Sequence, residues 1–349
     1  MPTTTNDNLQ PAQGASCWTG PQLAGSRSWI VEMSDADRTA VMGALDASAG
    51  CDPLTMTADD FPVGAFAENL AALRREAAFG TGFFLLRTGL GSLDEEQARR
   101  MIWGMGQYLG IPQIQDARRT LLHDVRDTGA NLQKQADVRT YQTNEAQPFH
   151  NDGGDIFALL CRRQSTGGGK SLIVSAHTVF NEILKRRPDL AKVLTEPFYF
   201  DARGQALPGR PWYQALPIFQ FHGGHWFVMY KRHYIELAQR SDEIPRLTAA
   251  QIEAMDLLDA LCDDPTFHLS FEMSPGDMVV GNNFTTLHAR TAFTDPEPAS
   301  GEKRHMLRLW LCRRPLRKPG NSAPFSKRHI ASRYKISSVD TMLEFYYRI

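Results

Sequence analysis

Two apolar rhythms alternate along the chain. Short runs in which almost every position is apolar, Gly82–Arg87, Ile156–Cys161, Trp226–Tyr230, Asp277–Val280 and His305–Leu311, are bounded by Gly, Pro or Asn and read as strands. They lie too close together to form a series of βαβ units, so the pattern predicts a mainly β, mainly antiparallel sandwich or barrel with flanking helices. Helical spacing follows two capping signals. Ser92-Leu93-Asp94-Glu95 precedes Ala98, Met101, Ile102 and Met105, and Thr248-Ala249-Ala250-Gln251 precedes Ile252, Met255, Leu258 and Cys262. Residues 62–78 and 177–186 also suit helices, the second ending ahead of Pro188 because a proline ring disfavours the α conformation in the preceding residue. Residues 1–28 are rich in Thr, Asn, Gly, Pro and Ser without apolar periodicity and are expected to form a mobile or loosely docked arm. Residues 29–349 are then one body with helical insertions and a C-terminal tail. That tail, from Pro315, is basic, punctuated by Pro and Gly, and ends in Leu343-Glu344-Phe345-Tyr346-Tyr347, a hint of docking or self-association.

Composition narrows the field. The 349 residues carry 38 Lys+Arg against 39 Asp+Glu, with 42% hydrophobic positions, so the chain can bury a full core and its charge does not favour nucleic acid as a partner. The polar N-terminus and the lack of any long apolar run speak against secretion and membrane insertion. The five cysteines are scattered with no C-x-x-C pair, which fits a reducing cytoplasm better than a disulfide framework.

Chemistry concentrates in three settings. In Pro148-Phe149-His150-Asn151-Asp152, alternate residues of an extended chain point the same way, so His150 and Asp152 can offer two metal ligands to one point. Pro275-Gly276-Asp277 leads through Asn282-Asn283 to His288-Ala289-Arg290, a strand, turn and strand that could bring His288 beside the first pair. Two histidines and one carboxylate on one side of a metal suit non-haem Fe(II), which needs open positions for a cosubstrate and dioxygen. Zinc is the rival ion, although the helical H-E-x-x-H of many zinc hydrolases is absent. Third, Lys303-Arg304-His305-Met306-Leu307-Arg308 sets Arg304 and Arg308 on one face of a strand, where a guanidinium fork can clamp a dicarboxylate.

The order H-x-D, G-G-x-S, G-D…N-N…H-x-R and R-x-x-x-R, from about Asp60 to Leu311, resembles the Fe(II)/2-oxoglutarate dioxygenases of the taurine dioxygenase and clavaminate synthase-like superfamily. The resemblance implies a double-stranded β-helix, or jelly roll, with His150, Asp152 and His288 as ligands of Fe(II). It implies that Arg304 pairs with the distal carboxylate of 2-oxoglutarate, that Ser171 hydrogen-bonds the same cosubstrate, and that Arg308 lies next to the substrate. Tyr141, Asn144, Trp212, His225, Tyr230 and Arg232 fall in segments that the family uses around its pocket, and Asn144 is taken as a second substrate-binding candidate. The implied reaction consumes O2 and 2-oxoglutarate, yields succinate and CO2, and hydroxylates an unactivated C–H bond of a small, acidic, amino-acid-like or natural-product substrate.

Asp at position 152, rather than Ala or Gly, favours oxygen transfer over halogenation. The Asp295–Gly301 loop between Arg290 and Arg304 leaves open which arginine faces the cosubstrate. Gln164–Ser171 imitates a phosphate-binding G-x-x-x-x-G-K-[ST] loop, but Gln164 replaces the first glycine and the stretch continues as strand, so it reads as a turn between strands. The competing functions are a metal-binding small-molecule sensor of the same fold without turnover, and a zinc-dependent hydrolase.

Overall fold

The structure, a computed structural model, describes residues 9–116, 118–130, 140–204, 211–222, 224–296 and 303–312. The C-terminal tail from Pro315, including Leu343–Tyr347, and residues 297–301 of the loop before Arg304 lie outside the described residues.

Two sheets face each other. The larger has seven strands, running Ile30–Glu32, Phe83–Arg87, Met278–Asn282, Ile156–Arg163, His305–Cys312 and Ile111–Pro112, with Leu122–Val125 also paired to His305–Cys312. Only the pairing of Ile30–Glu32 with Phe83–Arg87 is parallel. The smaller sheet is antiparallel throughout and runs Leu269–Phe271, Ser171–Ser175, Thr286–Arg290, Gln147–His150. This is the jelly roll expected from the sequence.

The near-continuous apolar runs are explained by burial on both faces. On the Ile156–Arg163 strand, Ile156, Ala158 and Leu160 face outward onto a core shared with helices Asp35–Ala47, Phe66–Phe79 and Glu95–Leu109, while Phe157 and Cys161 face the opposite sheet. The His305–Cys312 strand repeats the alternation, with Leu307, Leu309 and Leu311 outward and Met306 and Trp310 inward. Phe149, Val174, Leu287 and Ala289 of the smaller sheet pack outward against helices Ala176–Arg186, Pro188–Val193 and Ala249–Asp263. Each such fully buried Leu or Phe contributes about 1.5–3 kcal/mol, so these outer cores hold both sheets firmly enough to aim the polar side chains between them.

Some local expectations need correction. The Glu95–Leu109 helix is capped by Asp94 with Gln97, not by Ser92: Gln97 N donates to Asp94 Oδ1 at 2.8 Å and Asp94 N to Gln97 Oε1 at 3.1 Å. Both S-x-x-E and D-x-x-Q satisfy the motif, and the later one starts the helix one turn before its buried stripe. Thr248 and Gln251 form the expected box on Ala249–Asp263. Pro188 follows the break after Arg186 and opens the next helix at its first position, where its missing N–H costs nothing. Residues 9–28, expected as a mobile or loosely docked arm, are packed down. Trp18 and Leu23 are buried, Trp18 Nε1 donates to Thr81 O at 2.7 Å, Trp226 Nε1 donates to Gln10 O at 2.9 Å, and Asn181 exchanges two hydrogen bonds with the Ala12 main chain. Among the described residues no helix is long and apolar enough to cross a membrane.

Candidate metal centre

His150 ends its strand, and its direct cross-strand partner is His288, which places the two imidazoles side by side with ring centroids 4.4 Å apart. Asp152, two residues beyond His150 in extended chain, turns to the same side. Ligand atoms of His150, Asp152 and His288 all lie within 4.8 Å of one another. His150 Nε2 is 3.9 Å from Asp152 Oδ1, and His288 Nε2 is 3.8 Å from Oδ2.

The intervening Asn151 points the other way and clamps the segment. Its Nδ2 donates to Val228 O at 2.8 Å and Asn283 O at 2.7 Å, while its Oδ1 accepts from Tyr230 N at 2.9 Å. Asn283 completes the clamp, its Oδ1 accepting from Asp152 N at 3.0 Å and its Nδ2 donating to Gly154 O at 2.6 Å. The second asparagine of the N-N pair thus fixes the carboxylate's backbone. On the other side, Phe157 stacks 4.2 Å from the His288 ring, and a Cβ on Gly281 would come within 2.4 Å of the Phe157 ring. Glycine at 281 therefore gives that ring its place.

Protonation suits a metal. His150 Nδ1 lies 2.8 Å from Pro148 O, which can only accept, so Nδ1 carries the proton and the Nε2 lone pair faces Asp152 and takes a hydrogen bond from the Gln147 amide at 2.9 Å. Burial, then the neighbouring His288 and Lys231, hold the His150 pKa well below the usual range. Burial pulls His288 down to about 4 against the attraction of Asp152. Burial opposes ionisation of Asp152, but Arg308, His288, Lys231 and His150 outweigh it and keep the carboxyl below its ordinary value. At neutral pH the trio is two neutral imidazoles and one carboxylate, the ionic form in which each can bind a divalent cation.

The two arginines separate into different tasks. Arg308 Nη1 lies 3.3 Å from both oxygens of Asp152, its Nε donates to Gln115 Oε1 at 2.8 Å, and its guanidinium sits 5.0 Å from the Tyr141 ring and 4.9 Å from that of Trp310. Arg304 is 3% exposed, yet its Nε and Nη1 have no hydrogen-bond partner. Burial lowers its pKa to about 10, against the attraction of Cys161 and Asp295. Arg290, inward on the same strand face as His288, repeats the situation: Nε and Nη1 are unpartnered, and burial followed by Arg304 lowers its pKa to about 10. Both guanidiniums lie over Phe293, at 5.2 and 4.7 Å. Two buried, under-satisfied guanidiniums call for an anion.

Ser171 pairs in register with Arg290, and its Oγ contacts Met273 Sδ at 3.8 Å. The glycines before it form a turn, with Gly168 and Gly169 both at φ +71°, and a Cβ on Gly169 would reach within 3.1 Å of Arg304 Nε. The glycine-rich stretch is therefore the strand connection that gives Arg304 room, and no helix begins at its end. Asn144, expected at the substrate, is exposed, and it is its main-chain carbonyl that is engaged, accepting from Phe293 N at 3.0 Å. Tyr230 and Arg232 are both engaged by Asp259, Tyr230 within the outer core and Arg232 half-buried at its edge. Sequence reasoning passed over Gln115, which holds Arg308, and Lys231, whose Nζ is 3.9 Å from Asp152 Oδ1.

Comparison with known proteins identifies the family and the fold. Residues 50–310 match the taurine catabolism dioxygenase TauD, TfdA family. The chain is 27% identical over 312 residues to FR-33289 synthase of Streptomyces rubellomurinus (strain ATCC 31215), covering 86% of this chain and 90% of that protein. It is 27% identical over 310 residues to the taurine hydroxylase-like protein SAT17 of Stachybotrys chartarum (strain CBS 109288 / IBT 7711), covering 84% and 77%. Among solved structures, asparagine oxygenase in complex with Fe(II), 2S,3S-3-hydroxyasparagine and succinate superposes with a TM-score of 0.61 at 18% identity, over 81% of this chain and 93% of the other, which shows the shared fold.

Proposed function

This chain belongs to the taurine catabolism dioxygenase TauD, TfdA family, and on that premise we propose that His150, Asp152 and His288 are the residues that hold its Fe(II). It is an Fe(II)/2-oxoglutarate-dependent dioxygenase. When bound, the metal and the keto acid supply the oxidising chemistry, converting O2 and 2-oxoglutarate to succinate and CO2 as a C–H bond is hydroxylated. The observation that carries the assignment of residues is the convergence of three correctly ionised ligand atoms within 4.8 Å on one wall of the barrel.

The chain's own share is positional. Pro148 O fixes the His150 tautomer, and the Asn151–Asn283 clamp holds the Asp152 backbone. Arg304, with its unpartnered Nε and Nη1, is the clamp for the distal carboxylate, supported by Ser171 and by the second guanidinium of Arg290. Arg308, held by Gln115 and facing the metal ligands, is left for the substrate. The apolar cores on both sides of the barrel keep bulk water from the centre. An arginine in that place fits a small acidic molecule, amino-acid-like or a natural-product intermediate, in keeping with relatives named FR-33289 synthase and taurine hydroxylase-like protein. We infer one catalytic unit over residues 29–349, a reading supported among the described residues by Phe157, Cys161, Ile173 and Leu269 of the two facing sheets sharing one core. Succinate release with acidic small molecules tests the substrate class: Arg308→Ala should raise the apparent KM for an acidic substrate, and unchanged affinity would count against it.

A further inference from the structure

Lys231 stands where no motif predicted a functional group. It directly follows Tyr230, whose N–H is held by Asn151, so the clamp that sets Asp152 also sets Lys231 beside it. Its Nζ lies 3.9 Å from Asp152 Oδ1, 4.9 Å from the centroid of Tyr234 and 5.9 Å from that of Trp310, the same ring that Arg308 covers at 4.9 Å. Among the described residues Asp152 is the sole carboxylate within ion-pair distance of either Lys231 or Arg308. Gly153 and Gly154 let Trp310 approach this point, since a Cβ on either would come within 2.9 Å of its side chain, and Trp310 Nε1 is buried without a partner.

The charge balance is unequal. On the reading above, Asp152 and one carboxylate of the keto acid would balance the charge of a divalent metal, and Arg304 would take the other carboxylate. Arg308 and Lys231 then remain as two uncompensated cations on one side of the centre, with the Trp310 N–H as a neutral donor next to them. We propose that Lys231 and Arg308 together form a subsite for a doubly charged tetrahedral headgroup, a phosphonate or phosphate monoester, and that Lys231 is the residue that selects it over a singly charged carboxylate or sulfonate. This rests on the dioxygenase reading and deepens it. The buried guanidinium of Arg308 alone would serve a monoanion; a second cation 3.9 Å from the same carboxylate offsets its electrostatic cost only with a second negative charge opposite it.

The test uses the full chain loaded anaerobically with Fe(II) and 2-oxoglutarate. Ethylphosphonate, ethyl phosphate, ethanesulfonate and propionate are titrated by calorimetry, above the second pKa of the dianions, while the visible charge-transfer band is recorded on the same sample. The expected result is that at least one dianion binds roughly tenfold or more tightly than either monoanion. Lys231→Met should erase that ratio with the band intact, and Lys231→Arg should keep it. The order of ethylphosphonate and ethyl phosphate identifies which headgroup the subsite serves. A band with equal affinity for dianions and monoanions, or a ratio that survives Lys231→Met, overturns the inference while the dioxygenase reading stands. Absence of the band in a folded, metal-loaded protein overturns that reading, and the charge balance with it.

Discussion

Replacing Arg304 by Met should have opposite effects on the free protein and on its complex with 2-oxoglutarate. In the free protein the guanidinium is 3% exposed with Nε and Nη1 unpartnered, and burial brings its pKa down from the 12.5 of an ordinary arginine to about 10. A fall of that size makes the charged side chain cost the fold about 3 kcal/mol. Met fills a similar volume without the charge and removes the repulsion felt by Arg290, so the ligand-free variant should be at least as stable as the parent, by up to a few kcal/mol. In the complex the same change removes one partner of a buried ion pair, a loss of about 3–5 kcal/mol, which raises the Kd for 2-oxoglutarate by roughly a hundredfold to a few thousandfold. Urea unfolding of the metal-free proteins reads the first quantity, and anaerobic titration of 2-oxoglutarate into the Fe(II) protein reads the second. A variant that loses stability by more than about 2 kcal/mol while binding 2-oxoglutarate as before would refute the reasoning and make Arg304 a structural prop.

Three further outcomes follow from the geometry. Gly281→Ala places a Cβ within 2.4 Å of the Phe157 ring that packs on His288, so it should destabilise the protein by about 1–3 kcal/mol and weaken metal binding together; metal affinity unchanged by calorimetry would sever that link. Asn151→Ala leaves Tyr230 N, Val228 O and Asn283 O without their side-chain partner, and should lower the urea midpoint by the equivalent of about 2–5 kcal/mol, a loss that Asn151→Asp should only partly restore because Asp supplies the acceptor but not the donor. Stability should depend on pH through His177, whose pKa burial lowers from 6.5; its Nε2 donates to Trp226 O and its Nδ1 accepts from Ser16 Oγ. The unfolded chain binds this proton at about pH 6.5 and the folded chain at lower pH, so stability is full above that value and falls as pH drops below it. The urea midpoint should therefore decline between pH 7.5 and 5.5, and less steeply in His177→Gln; parallel declines would remove His177 as a cause.

What could be read in advance was what depends on local periodicity. Alternation alone put His150 and Asp152 on one side, and the same alternation separated Met306 and Trp310 from the outward leucines of their strand. Helix starts were read to within one competing motif, since Ser92 and Asp94 each head a valid box and only the position of the buried stripe decides between them. The packing of residues 9–28 was not legible, because it depends on isolated contacts, Trp18 and Leu23 in the core and single hydrogen bonds to Thr81, Asn181 and Trp226, which no spacing announces. The Asp35–Ala47 helix was passed over for a similar reason: its buried face is only Val41, Ala44 and Leu45. Lys231 and Gln115 lie in no motif and reach the centre only through tertiary contacts, Lys231 through the Asn151 clamp and Gln115 through its bond to Arg308. Asn144, near the H-x-D segment in sequence, meets the sheet edge through its main-chain carbonyl, a contact that side-chain alternation does not announce.

Anaerobic addition of Fe(II) and then 2-oxoglutarate to the apoprotein, watched in the visible range, tests the central claim most directly. The account predicts a weak charge-transfer band from a keto acid chelating iron, formed with one Fe(II) per chain, abolished in His288→Ala and Asp152→Ala, and shifted to much higher 2-oxoglutarate concentration in Arg304→Met. A folded, iron-loaded protein that gives no such band, or one whose band persists without His288 and Asp152, would contradict the assignment of these residues as the metal centre.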